Sequence, residues 1–435
     1  MSETGIEKTR GVDRGVDRGA ARAGSSRWRR LTWFALAAGA LSLLSFQPLI
    51  RLFGGHSALL ALRERAQLSE GARELLDECL SDLEGRRLLD VHTHLAGRGV
   101  GSECWVNPRM LSPLHPVAYV RYRIYLTAAG VEGDDPDSAF VDRLLALARA
   151  RPSPARHAVL AFDYRYGVDG ERDLQRSEFH VPNQYAWEVA AAHPDLLFAV
   201  ASIHPYRKDA VQSLEHWAAR GVRMVKWLPN AQGIDPASPR CDPFYRACRR
   251  LGVCLLVHTG EEQAVEAEED QALGNPLRLR RPLDLGVRVV AAHCASSGRG
   301  EDLDHPGRPD ALNFELWLRL MDEPQYEGLL YGEISTLLQI NRYPTALATL
   351  LERGDLHARL LNGSDWPLPA INALTQLGAL RRDGFLDSEQ CALLRELYHH
   401  NPLSFDLALK RTVRSPVTGA RFAPGVFLGR PELGL

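Results

Sequence analysis

Two histidines, His92 and His94, close the short run Leu88-Leu89-Asp90-Val91-His92-Thr93-His94. On a strand, positions i and i+2 point to one face, so both imidazoles project together from the strand end and can share a divalent metal. Single ionisable residues also end later apolar runs: Lys226 in VRMVKWLP, His258 in VCLLVHTG, His293 in VRVVAAHC, Glu333 in LLYGEIS and Asp365 in RLLNGSD. One buried strand ending in an ionisable group is an accident. Six such runs in one chain ask for a common site.

Those runs belong to a regular pattern. From Arg86 onward, short apolar runs at 87–94, 157–163, 197–205, 222–229, 253–260, 287–294, 329–335 and 359–365 alternate with helix-like segments such as 183–195 and 210–220. Eight parallel strands with intervening helices predict a TIM (β/α)8 barrel, an α/β fold whose site lies at the carboxyl ends of its strands. Two doubly wound domains would scatter the same groups. The first connection, 95–156, is long and carries Trp105, Tyr119, Arg121, Tyr122, Arg123 and Tyr125. It is expected either to shape the barrel mouth or to pack outside it. The acidic run 261–270 and the charged stretch 298–310 read as solvated.

Ahead of the barrel, residues 1–30 are polar and low in complexity, and are expected to be disordered. Residues 31–50 then run uncharged for about 20 positions, roughly the length that crosses a hydrocarbon core, directly after Arg27, Arg29 and Arg30. The pattern predicts an N-terminal single transmembrane signal-anchor helix, with a cleaved signal peptide as the alternative. The positive-inside rule would put the tail in the cytoplasm and the body on the outer side. Residues 51–85 read as a helical linker, 86–410 as the catalytic barrel and 411–435 as a C-terminal extension. A net charge of -2 gives no reason to expect a nucleic-acid partner. Seven scattered cysteines without a C-x-x-C pair specify neither a zinc ribbon nor a disulfide framework.

In this order, DVHTH, VKWLP, LVHTG, AAHC and GSDWP resemble the amidohydrolase superfamily. More narrowly, they resemble its amidohydrolase 2 branch, which includes aminocarboxymuconate-semialdehyde decarboxylase and related decarboxylases, hydratases and lactonases. The late NPLSFD at 401–406 is similar to the branch's N-x-x-x-x-F segment, so the resemblance spans residues 86–406. It implies a divalent metal (one zinc, or manganese or iron) held by His92, His94, His258 and Asp365. Asp365 would be the base and His293 the catalytic histidine.

Lys226, Glu333 and His204 are the candidate substrate-binding residues. A carboxylated Lys226 bridging two metals is the binuclear alternative. The implied activity is hydrolysis, in which metal-bound hydroxide attacks an amide, ester or lactone carbonyl of a small molecule. Non-oxidative decarboxylation, served by Lys226 and the Arg121/Arg123 pair, is the alternative on the same fold, and a membrane-tethered binding scaffold is the third reading. The expected partners are a small-molecule substrate, the membrane through the N-terminal helix, and further copies of the chain in a homo-oligomer.

Overall fold

Every one of the eight apolar runs overlaps a strand of the computed structural model, which describes residues 50, 68–83, 85–131, 135–371 and 373–435. The strands are β1 (Leu88–His94), β2 (Ala155–Leu160), β3 (Leu197–Val200), β4 (Met224–Trp227), β5 (Cys254–His258), β6 (Val289–Ala292), β7 (Leu330–Glu333) and β8 (Leu360–Leu361). All neighbours pair in parallel: β1 with β2, β2 with β3, and β4 through β8 in sequence. Two contacts close the ring. Ala201 bridges to Val225 between β3 and β4, and Thr93 bridges to Trp366 between β1 and the segment after β8. The predicted barrel is therefore the fold, and the strands' carboxyl ends meet at one mouth.

Its interior is filled by Leu89, Val91, Ala158, Leu160, Val200, Met224, Leu256, Val290 and Leu361, with Leu433 from the chain's last stretch. A second layer lies between the strands and the helices that return the chain to the next strand. The helix Asp242–Leu251 illustrates why the sequence builds this layer. Phe244, Tyr245, Ala247 and Cys248 form one buried stripe at helical spacing, and Gly252, at φ 67°, ends the helix in the left-handed conformation that glycine tolerates.

One irregularity decides the site. Asp90 pairs with His157 and Thr93 with Val159, so β1 carries an extra residue against β2. Strict alternation would place Asp90, His92 and His94 on one face. The bulge shifts the phase. Leu89 and Val91 fill the interior, Asp90 meets His157 of β2, and His92 and His94 then face the mouth.

The stretch 298–310 is solvated as expected apart from buried Asp302, and its Arg299–Glu301 pairs antiparallel with Asp310–Leu312. The run 261–270 is not wholly solvated, because Glu262 is buried. At the end of the chain Phe422, Val426, Phe427 and Leu433 are fully buried. Helix α1 (Glu70–Leu80) is capped by Ser69 and packs Leu76 and Cys79 against the outer layer. The tail expected to be disordered and nearly all of the predicted membrane span lie outside the described residues, as do residues 51–67. Among the described residues, no helix is long and apolar enough to cross a membrane.

Tight packing also constrains small residues. A Cβ at Gly332 on β7 would come within 2.5 Å of the Trp317 ring and 2.8 Å of Cys294 Sγ. Gly332→Ala is expected to lower unfolding stability by about 1–3 kcal/mol through overpacking. Denaturant melts of the two proteins check this, and equal midpoints would contradict it.

Candidate metal centre

The mouth of the barrel opens into a cavity of about 300 Å³. His92, His94, Lys226, His258, His293 and Asp365 line its floor. Asp365 joins the set through the backbone: its N–H donates to the carbonyl of His92 at 2.7 Å, stitching the end of β8 to β1. Asp365 Oδ1 then lies 2.9 Å from His94 Nε2 and 3.4 Å from His92 Nε2, and its other oxygen is 4.0 Å from His293 Nε2. His293, Cys294 and Ala295 all have positive φ, as does Asp365 at 59°. Left-handed backbone at non-glycine residues is costly and persists only where the surroundings hold it, a pattern concentrated at functional sites.

Glu333 sits behind this layer, not in the cavity lining. Its Oε1 is 2.9 Å from His92 Nδ1 and accepts from the His293 amide at 2.9 Å and from Ser335 Oγ at 2.7 Å, while Oε2 accepts from the Ser335 amide at 2.8 Å. A carboxylate on Nδ1 fixes the ring and leaves Nε2 for a metal. Ser335 Oγ and Thr336 Oγ1 lie 2.8 and 3.0 Å from Nδ1 of His293 and orient that ring in the same way.

Burial favours the neutral imidazole, the state that binds metal, at His94, His258 and His293. It moves His94 down against the opposing pull of Asp365, and moves His258 and His293 well down. For Asp365, burial acts to raise the pKa, but His92, His94 and His293 overcome it and keep the carboxyl well below its ordinary range. Burial brings Lys226 down to about 8, against Asp365 and Glu333.

The donor set fits a divalent cation: His92, His94 and the ionised Asp365 each bring a ligand atom within 4.8 Å of the others, whereas His258, the fourth expected ligand, lies outside that group, its Nε2 buried without a hydrogen-bond partner among the described residues. Lys226 Nζ stands 3.2 Å from His92 Nε2.

Other predicted residues fall elsewhere. His204 is fully buried, with Nε2 2.9 Å from the Gln232 carbonyl, and does not line the cavity. Arg121 is paired with Glu178. The long first connection does cover the mouth: Val106, Met110, Tyr122, Tyr125 and Phe140 form much of the apolar wall.

Two residues that do not stand out in the sequence belong to the site. Arg342, from the loop after β7, lines the cavity, and its Nε and Nη1 are buried without a partner among the described residues. Glu262 places Oε2 3.3 Å from His258 Nε2, and its Oε1 accepts from the amides of Ala264 and Val265. Neither residue ends a strand, so the pattern of strand-terminal groups could not single them out.

A family model described as Amidohydrolase matches residues 89–404. The chain belongs to this family, the amidohydrolase 2 branch. No curated protein matches it.

Among solved structures, the chain is similar to an uncharacterised TIM-barrel protein from Bordetella bronchiseptica, at 16% identity and TM-score 0.44 over 74% of this chain and 99% of that one. It is also similar to a 5-carboxyvanillate decarboxylase from Novosphingobium aromaticivorans solved with bound manganese, at 12% identity and TM-score 0.43 over 71% and 93%. A third is a probable 2-pyrone-4,6-dicarboxylic acid hydrolase from Acinetobacter baumannii, at 14% identity and TM-score 0.41 over 72% and 99%.

The ligand set makes a direct prediction. Asp365→Asn and His258→Ala are each expected to lose most bound zinc or manganese, and Glu333→Gln to bind it about 10–100-fold more weakly. Metal analysis and competition against a chromophoric chelator measure both effects. Full retention in the first two variants would remove this ligand set, and two metals per wild-type chain would point to a carboxylated Lys226.

Proposed function

We propose that the protein is a metal-dependent hydrolase that opens an ester, amide or lactone carbonyl of a small molecule bearing a carboxylate. One divalent cation, zinc in the first instance, would be held by His92, His94, His258 and Asp365. When bound, such a cation supplies Lewis acidity and lowers the pKa of a coordinated water. The observation that carries the reading is the placement of Asp365, an ionised carboxylate on the cavity floor with one oxygen toward His92 and His94 and the other toward His293. From there it can take a proton from water, while His293, fixed through Nδ1, offers Nε2 to the oxyanion or leaving group.

The wall supports the choice of substrate. Tyr122, Tyr125, Phe140, Phe179 and Leu228 would surround an apolar or aromatic body. Arg342 is the natural anchor for a carboxylate, because its unpartnered guanidinium atoms match that group's geometry.

The second reading, a non-oxidative decarboxylase, is favoured by Lys226 and Arg342 facing the same apolar cavity, where both could grip a leaving carboxylate.

The full chain, loaded with zinc or manganese, is assayed against carboxylated aryl esters and lactones beside the corresponding free acids. Ring opening or ester cleavage without carbon dioxide release is expected; carbon dioxide release alone would move the assignment to the decarboxylase. Arg342→Gln is expected to raise KM for a carboxylated substrate by about tenfold or more, with little effect on a neutral analogue. Equal effects on both substrates would contradict the anchor role.

A further inference from the structure

The segment 401–406, NPLSFD, opens a helix, α2 (Pro402–Thr412), that lies outside the barrel and touches no wall of the cavity. Asn401 caps it, accepting from the amides of Leu403 and Ser404. Further along the same helix Lys410 is completely buried. Its ammonium donates to the Gly363 carbonyl at 2.7 Å, to Asp406 Oδ2 at 2.6 Å and to Asn362 Oδ1 at 3.4 Å. All three ammonium hydrogens are thus used, and two of the three bonds end on the residues leading into Asp365.

The same stretch is held from its other side by an opposite charge. Asp90 Oδ1 accepts from the Ser364 amide at 2.8 Å. Ser364 Oγ in turn reaches the His92 carbonyl at 3.3 Å. Asn362 donates to the Leu89 carbonyl at 3.1 Å. A charge-assisted bond is shorter and stronger than a neutral one, so a buried ammonium on the carbonyl side and a buried carboxylate on the amide side fix this backbone firmly. Asp365 needs that restraint, because it sits at φ 59°, where an aspartate is strained.

We propose that Lys410 is a positioning residue for Asp365: from outside the barrel it sets the aspartate's place among His92, His94 and His293. The proposal rests on the reading of Asp365 as a metal ligand. It gives the late NPLSFD helix a role in the site without any contact with substrate.

Cobalt(II) bound to the full chain is the test, because its visible spectrum reports ligand geometry independently of turnover. Lys410→Met is expected to bind Co²⁺ about tenfold or more weakly and to change the visible bands, with partial recovery in Lys410→Arg. Arg411→Met is the control. Arg411 is as buried on the same helix, but it binds Asp82 and the carbonyls of Cys79 and Phe422, away from the site. It should lose stability and keep the wild-type Co²⁺ spectrum.

Wild-type affinity and spectrum in Lys410→Met would overturn the proposal, as would the same change appearing in Arg411→Met. If Lys410→Met does not fold, Lys410→Gln is read in the same way, and an unperturbed spectrum there has the same force. A wild-type chain that takes up no Co²⁺ overturns the ligand assignment itself, and this proposal with it.

Discussion

Burying many ionisable groups in one place is the constraint on which this structure depends. His92, His258, His293, Lys226, Glu333 and Asp365 are all nearly inaccessible to solvent. An isolated buried charge is destabilising by several kcal/mol, so such a floor is tolerable only where each group is neutral, paired or hydrogen-bonded. The molecule meets the condition in different ways. Burial keeps His258 and His293 neutral, Asp365 stays ionised beside them, and Glu333 is saturated by His92, Ser335 and the His293 amide. The atoms left unsatisfied are informative for the same reason. His258 Nε2, which has Glu262 Oε2 at 3.3 Å, and two nitrogens of Arg342 are buried without hydrogen-bond partners among the described residues, and both side chains face the cavity. They mark where a cation and an anionic ligand group would complete the balance.

Placing those groups is a backbone problem solved at the seam between the first and last strands. β8 is only two residues long, so a regular ladder cannot by itself hold the segment 362–366 that leaves it. Irregular bonds do so instead: Val91 to Asn362, Asp365 to His92, and His94 to Trp366. The bulge in β1 belongs to the same solution, because it frees Asp90 from the mouth-facing set and lets it receive the Ser364 amide. Charge outside the barrel and geometry inside it are thereby linked through one stretch of chain.

Much of this was legible in the sequence, and the physical reason is topological. In a parallel barrel every strand ends at the same rim, so residue types at run ends can be collected without knowing any distance. His92, His94, Lys226, His258, His293 and Asp365 were found that way, and all line the cavity. The method fails away from strand ends. Arg342 lies in a loop whose path no periodicity encodes, and Glu262 was hidden in an acidic run that looked solvated. His204 misled in the opposite direction: it comes after a strand as the others do, but its ring turns to the Gln232 carbonyl. The phase shift in β1 was also invisible, because Leu-Leu-Asp-Val-His-Thr-His reads equally well with or without an extra residue.

These placements divide the labour between floor and wall. The floor is built from strand ends and the residues just after them, tied to neighbouring strands by bonds such as Asp365 N–H to the His92 carbonyl, so its chemistry is tied to the fold. The wall comes instead from the first connection and the loops after β5 and β7, and includes Tyr122, Tyr125, Val265 and Arg342. Tyr125 donates from its hydroxyl to the Ala264 carbonyl of the β5 loop at 3.1 Å. A change in the wall leaves the strand ladders in place, whereas a change in the floor must be accommodated by the whole buried set. The reaction class therefore resides in the part of the molecule that the sequence pattern exposes, and the choice of substrate in the part that it conceals.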